Sequence, residues 1–423
     1  MRRLTAAILL ALLLAGCGGV EPSAPAPSPP AATPAQPVAE PPSDPKPPAV
    51  SQLDGRMAEA NIRFSLALLR EVHRLKPDES HFLSPASAQV VLSLTAAGAK
   101  GETQQAMLQA LQYGAMTADE IHRANGDLQT ILTNPDPKVE LQVANALWHQ
   151  EQLKPSANFL DVARQHYRAE VSPAHFGTPE SAKAINNWAK EKTKGKIPHL
   201  LDETNSEDLM ILVNAIYFYG NWTRPFTPEL TREAPFTRLD GSTKPVKFMH
   251  QEGVYRYLEQ DGVRGIRLPY GDGRVGLYAI MPDRWDGFVD GLTPERWAQY
   301  MDGFGQERIR LAMPRVKLEY KTELIDPLTA LGMGIAFRPH QADLTGLFEQ
   351  RVDDAHISKV LQKTYLDLNE RGTEAAAVTA AVAAATSAPA DEPKELKLNR
   401  PFLLAIRDDQ TRTLLFVGTV LEP

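Results

Sequence analysis

The chain has 423 residues, 34 prolines, a single cysteine and a formal net charge of −7. That length allows one large domain or two smaller ones. The negative balance argues against nucleic acid or another polyanion as partner, and one cysteine excludes an internal disulfide.

In chain order, the first feature is a leader. Arg2 and Arg3 give a positive start, Leu4 to Leu14 an apolar run too short to make a good membrane span, and Leu14-Ala15-Gly16-Cys17 a small-residue cleavage box. An ordinary export signal would leave the lone Cys17 unexplained. The box resembles the bacterial lipobox, which implies residues 1–16 as a lipoprotein signal peptide and Cys17 as the lipidated first residue of the mature chain. The expected location is the cell envelope, anchored to a membrane and facing the periplasm or the exterior. Gly18, in place of an aspartate that retains lipoproteins at an inner membrane, points outward where the cell has a second membrane. Losing Arg2 and Arg3 takes the charge from −7 to −9. Residues 17–52 are rich in Pro, Ala and Ser, a composition that favours extended polyproline II over a packed core. At about 3.1 Å per residue this tether reaches roughly 100 Å.

Residues 53–423 carry the expected domain, with no second linker and no internal repeat. Helical spacing of apolar residues marks Met57 to Leu75 and Ala86 to Ala97. Between them His81-Phe82-Leu83 reads as a short strand, with Ser84 before Pro85 as an expected helix cap. Another helix runs from Gly101 through Leu111, and Ala182 to Lys194 reads as helix ending near Gly195. Val139 to Trp148 and Met210 to Tyr219 are strand-like. The second half turns β-rich, with strands expected at 263–269, 275–282, 309–318, 364–368, 402–407 and 414–421. One helix, near Leu324 to Leu331, interrupts them. Helices early and strands late give an α+β class.

Three patterns invite a catalytic reading and fail to earn it. Gly271, Gly273 and Gly276 form a formal G-x-G-x-x-G, but apolar strands flank it on both sides, so it reads as a hairpin around Asp272-Gly273. The ten histidines supply no H-E-x-x-H, and no G-x-S-x-G elbow occurs. The residues therefore favour a protein that is not an enzyme and uses no cofactor or metal.

The most distinctive stretch is Asn369 to Ala390, NERGTEAAAVTAAVAAATSAPA. As a helix it is alanine-rich, with Glu374 near its start. As a strand it places Thr373, Ala375, Ala377, Thr379, Ala381 and Ala383 on one side, all of them small, with Glu374 and Val378 on the other.

Read in order, nine segments resemble the serpin family: FLSPASAQVVLSLTAAGAKGET, LQVANALWHQ, INNWAKEKTKGKIPHLL, LVNAIYFYGNW, VKFMHQ, LPYGDGRVGLYAIMP, AMPRVKLEYKTEL, ISKVLQKTYLDLNERGTEAAAVT and NRPFLLAIRDDQTRTLLFVGTVLEP. The resemblance implies the serpin fold, with three β-sheets, eight or nine helices and an exposed reactive-centre loop from Thr373 to about Pro393. It also implies a suicide-substrate inhibitor. A serine protease attacks the loop and is acylated, and the cut loop then inserts into the main sheet and distorts the tethered protease. The expected partner is that protease, in a covalent complex, with the inhibitor itself a monomer. The rival expectation is a non-inhibitory binding or scaffolding lipoprotein on the same fold.

Residue by residue, the resemblance assigns a hinge to Glu370, Gly372, Thr373, Glu374, Ala375, Ala376 and Ala377. Counting from Gly372 at the family's spacing puts the reactive bond between Thr386 and Ser387; counting back from Asn399-Arg400-Pro401-Phe402 puts it near Ala390. Either position is small and uncharged, which implies an elastase- or subtilisin-like target. Ser84 and Asn214 fall at the sheet-opening shutter, where Gln362 replaces the family's histidine and cannot titrate. Trp222 matches the aromatic at the top of the sheet, and Arg315 with Glu370 matches a salt bridge bracing the hinge. Read as surface groups, such a pair is worth under about 1 kcal/mol.

Overall fold

Asp54 starts the first helix, its carboxylate accepting the Arg56 amide at 2.9 Å, and the apolar residues of Gly55–Leu75 then bury one face. The computed structural model describes residues 53–133, 135–136, 138–373 and 392–423. Among these lie eight α-helices: α1 Gly55–Leu75, α2 Pro85–Ala97, α3 Gly101–Ala110, α4 Ala118–Leu132, α5 Ala157–Val162, α6 Pro179–Lys192, α7 Pro294–Gly303 and α8 Ile325–Leu328. Short π and 3-10 turns extend two of them. No helix among the described residues is long and apolar enough to cross a membrane.

The strands are β1 His81–Leu83, β2 Val139–Gln150, β3 Glu170–Ala174, β4 Met210–Asn221, β5 Arg232–Thr237, β6 Thr243–Gln260, β7 Val263–Pro269 and β8 Val275–Pro282. They continue with β9 Gly305–Pro314, β10 Val316–Glu323, β11 Lys359–Asn369, β12 Gly372–Thr373, β13 Lys394–Lys397, β14 Phe402–Asp408 and β15 Thr413–Val420. One sheet has the order β10-β11-β12-β4-β2-β3. The other runs β1-β15-β14-β8-β7-β6-β9-β13, with β5 on β6.

Helix α2 is buried on nearly every side, with Ser87, Gln89, Ser93 and Thr95 each hydrogen-bonded, and packs against β2, β4 and β15. The far face of β2 and β4 is covered by α6, through Trp148, Ile185, Trp188, Ile211 and Val213. Both faces of β4 are thus buried, and its sequence reads as a near-continuous apolar run.

Three expectations change. Ser84 precedes α2 but does not cap it: its hydroxyl donates to the Leu415 carbonyl at 2.8 Å instead of accepting from the amides of the first helical turn. The strand expected over 309–318 is two strands in different sheets, β9 ending at Pro314 and β10 starting at Val316. Arg315 turns the corner, its amide bonded to the Lys247 carbonyl at 2.9 Å. Finally, no strand is expected over 243–260, where the 18-residue β6 pairs with β5 through its first third, with β9 through its middle and with β7 at its end.

Candidate functional site

Strands β4 and β11 run parallel and pair directly along one seam, Ile211 to Tyr217 against Lys359 to Tyr365. Above that stretch the seam opens. Gly372 and Thr373 sit between the two strands, antiparallel to both: Thr373 faces Leu368 and Gly220, and Gly372 faces Asn369 and Asn221. Among the described residues, Gly372 and Thr373 thus form a wedge at the mouth of a closed parallel pair.

The wedge needs its residue types. Gly372 has φ 149°, a conformation that L side chains rarely adopt, and a Cβ there would strike the Gly220 carbonyl. Thr373 is fully buried, with its hydroxyl 2.7 Å from the Tyr270 hydroxyl. Tyr270 stacks on Trp222, ring centroids 4.4 Å apart.

The segment after β4 clamps the chain leading into the wedge. Trp222 donates its amide to the Arg371 carbonyl at 2.8 Å and its indole N–H to the Asn369 carbonyl at 2.9 Å. The Phe226 amide donates to the Glu370 carbonyl at 2.7 Å. The Glu370 side chain accepts from Arg315 Nη2 at 2.6 Å, Arg315 Nε at 2.8 Å and the Thr231 hydroxyl at 2.6 Å. This is no ordinary surface pair, because the Glu370 side chain is only 7% exposed while that of Arg315 is 42% exposed. Burial pushes the Glu370 carboxyl up, yet the bonds from Arg315 and Thr231 outweigh it and hold the group below the usual glutamate range.

Lower in the seam, Gln362 on β11 faces Asn214 on β4. The Gln362 Oε1 accepts the Ser84 amide at 2.9 Å, and Nε2 donates to the Ser84 carbonyl at 2.9 Å and to Asn214 Oδ1 at 2.8 Å. Asn214 Nδ2 in turn donates to Asn145 Oδ1 at 2.7 Å and to the Ser87 hydroxyl. Ser84, Asn214 and Gln362 are all buried. Gln362 engages its oxygen and both amide hydrogens, holding Ser84 as a neighbouring strand would, and the network carries no group that titrates in the physiological range. Separating β4 from β11 requires breaking the Gln362–Asn214 bond.

The structure therefore gathers Ser84, Asn214 and Gln362 into one cluster and Trp222, Arg315, Glu370, Gly372 and Thr373 into another. Cys17, Glu374, Ala375, Ala376, Ala377, Thr386 and Ser387 lie outside the described residues. Sequence reasoning missed four contributors: Ser87, Asn145, Thr231 and Tyr270. Asn145 and Asn214 are in register on adjacent strands, so two asparagines inside apolar runs were the available signal. Thr231 and Tyr270 act through tertiary contacts that leave no local pattern. Among the described residues, no group of three or more His, Cys, Asp or Glu is placed to hold a metal ion.

A family model described as "Serpin (serine protease inhibitor)" matches residues 59–423. The horse (Equus caballus) leukocyte elastase inhibitor is 32% identical over 383 residues, covering 87% of this chain and all of the relative. Among solved structures, the thermophilic serpin Tengpin in its native state superposes with a TM-score of 0.82 at 31% identity, over 89% of this chain and 97% of that one. Thyroxine-binding globulin in complex with thyroxine gives a TM-score of 0.80 at 26% identity, over 87% and 99%.

Proposed function

This chain belongs to the serpin family, a family of serine protease inhibitors, and from that premise we propose that it traps proteases with small apolar primary specificity by inserting its cleaved loop into the β4–β11 seam. The protease serine oxygen attacks the carbonyl carbon of Thr386, forming an ester. The peptide bond to Ser387 breaks, and the new amine leaves with its proton. The freed strand then enters the seam before water can hydrolyse the ester.

One observation carries this reading: the wedge is in register with both strands at once. Extending its pairing places Val382 opposite Ile211 on β4 and also opposite Lys359 on β11, and those two residues are partners in the closed seam. A strand continuing from Thr373 can therefore fill the seam to its base with no slip on either side, exchanging one parallel ladder for two antiparallel ones. On the same register Thr373, Ala375, Ala377, Thr379, Ala381 and Ala383 face inward, where small residues avoid overpacking. Thr379 would arrive opposite both Asn214 and Gln362, bringing a hydroxyl that can donate to one and accept from the other as their mutual bond breaks. Roughly fourteen inserted residues at about 3.3 Å each carry the protease close to 45 Å.

The target preference rests on the small, uncharged residues around Thr386, and the named elastase inhibitor among the relatives accords with it. We assign Cys17 as the lipid anchor and residues 17–52 as the tether of a monomeric domain at the cell envelope; replacing Cys17 with serine should release the protein into the soluble fraction. Thyroxine-binding globulin, named for a small ligand, favours the second reading, a binding protein on this fold. Against it stands the run of small residues in the hinge. The test is to incubate the chain with elastase-, subtilisin-, chymotrypsin- and trypsin-like proteases and run denaturing gels. A complex resistant to SDS with the first two supports the proposal, and loop cleavage with every protease still active refutes it.

A further inference from the structure

Behind the clamp lies a cavity of about 370 Å³ that the insertion mechanism does not use. Its walls are the Trp222–Phe226 segment on one side and β6 and β7 on the other, with Tyr255 and Leu268 buried in its lining. The volume falls within the range of small-molecule sites. One face of Trp222 is already covered by Tyr270, so the cavity meets an aromatic assembly that is fixed from behind.

The charges around this cavity are one-sided. Arg224, Arg256 and Arg267 line it, and no Asp or Glu does. Arg267 is committed to Asp409 at 2.7 Å. Arg224 and Arg256 have no ion pair among the described residues; the bond of Arg256 is a long one, 3.5 Å to the Phe304 carbonyl. The Arg224 guanidinium lies over Gly253 in mid-strand, where a Cβ would push its flexible end aside. The Gln251 side chain fixes the same segment, donating to the Pro225 carbonyl at 2.7 Å and accepting from the Tyr255 hydroxyl.

We propose that this cavity binds a small organic anion with a flat aromatic body, its ring against the apolar lining and its anionic group between Arg224 and Arg256. Planar guanidinium groups suit carboxylate or sulfonate oxygens, and stacking on aromatic faces suits the ring. Because the same Trp222–Phe226 segment holds the carbonyls of Asn369, Glu370 and Arg371, an occupied cavity stiffens the clamp and slows the hinge from moving into the seam. This second part rests on the insertion reading; the binding itself does not.

The test titrates the full chain calorimetrically with naphthalene-2-sulfonate and with uncharged naphthalene-2-methanol. Saturable one-to-one binding of the sulfonate is expected, with the alcohol weaker by roughly tenfold or more. The R224Q/R256Q double variant, altered only at exposed side chains, should lose a similar factor while keeping the wild-type melting temperature. Equal binding of the neutral compound to the wild-type chain, or undiminished sulfonate binding by the double variant, would overturn the site. Hydrogen exchange at residues 369–373 should slow with the sulfonate bound, and unchanged exchange at saturation would overturn the coupling. Binding without any protease complex would support the site while contradicting the inhibitor reading.

Discussion

The mouth and the middle of the β4–β11 seam are closed by different chemistry. At the mouth, the wedge is held by an ion pair with one half-exposed partner, by backbone bonds from Trp222 and Phe226, and by one threonine hydroxyl. Midway down, the seam is locked by neutral amides, with the Gln362 oxygen and both amide hydrogens bonded inside the protein. The mouth is therefore sensitive to charge and to the residue that already occupies the wedge. The middle responds only to the loss of a hydrogen-bonding partner.

The largest effect should come at the wedge. Thr373→Arg forces an unpaired guanidinium into a fully buried site, which costs several kcal/mol, so the cleaved loop cannot lead into the seam. Inhibition should give way to substrate behaviour, with moles of chain consumed per mole of protease rising more than roughly tenfold. A complex yield equal to wild type on denaturing gels would break the assignment of the wedge as the starting point.

Next is the lock. Gln362→Ala leaves the Ser84 amide and the Asn214 oxygen without their partner, costing about 3 kcal/mol at about 1–3 kcal/mol per buried unsatisfied group. Urea unfolding should show the loss, and heating should convert more of the variant into polymers. Unchanged stability would mean that the amide network is incidental to closure.

Glu370→Lys acts at the mouth and should cost about 3 kcal/mol, because the half-exposed Arg315 can turn to water while the new ammonium stands beside it at a site only 7% exposed. Native gels after mild heating should show polymer at the expense of monomer. A wild-type monomer yield would break the claim that this pair restrains the hinge.

The smallest effect separates the two regions by pH. The Glu370 carboxyl is held down in the folded protein, so its contribution is present above the ordinary glutamate range and is lost as pH falls through the depressed value. Discounted for solvent, that is under about 1 kcal/mol. Comparing wild type with Glu370→Gln below pH 4.5 should reveal it, whereas Gln362→Ala should show the wild-type pH slope. Any wild-type loss between pH 6.5 and 4 belongs instead to the histidines that burial holds below their ordinary value, His73, His81, His122, His149 and His250, with His81 pushed down to about 4, because the unfolded chain takes up their protons first.

Much of this was legible in the sequence, for physical reasons. Apolar runs at 139–148 and 210–219 announced the buried central strands, and Thr373, first of the small-residue face, is buried between β4 and β11, while the rest of that face lies outside the described residues. The break at Arg315 was hidden because the residues on either side are equally strand-like. Strand β6 was missed because TKPVKFMHQEGVYRYLEQ mixes a proline, charges and apolar groups as it passes from one surface to another. Helix α4 was missed although Thr117 and Glu120 form a capping box, a local signal that was there to be read. The polar lock was named through family resemblance; its full membership depends on Ser87 and Asn145, brought together only by the fold.

The most direct measurement is hydrogen exchange along the seam before and after a protease cuts the loop. Insertion predicts that amides in residues 211–217 and 359–365 become more protected, and that a fragment ending near residue 386 stays bound to the sheet and exchanges slowly. Seam protection unchanged by cleavage, with the cut segment exchanging as fast as a free peptide, would contradict the account.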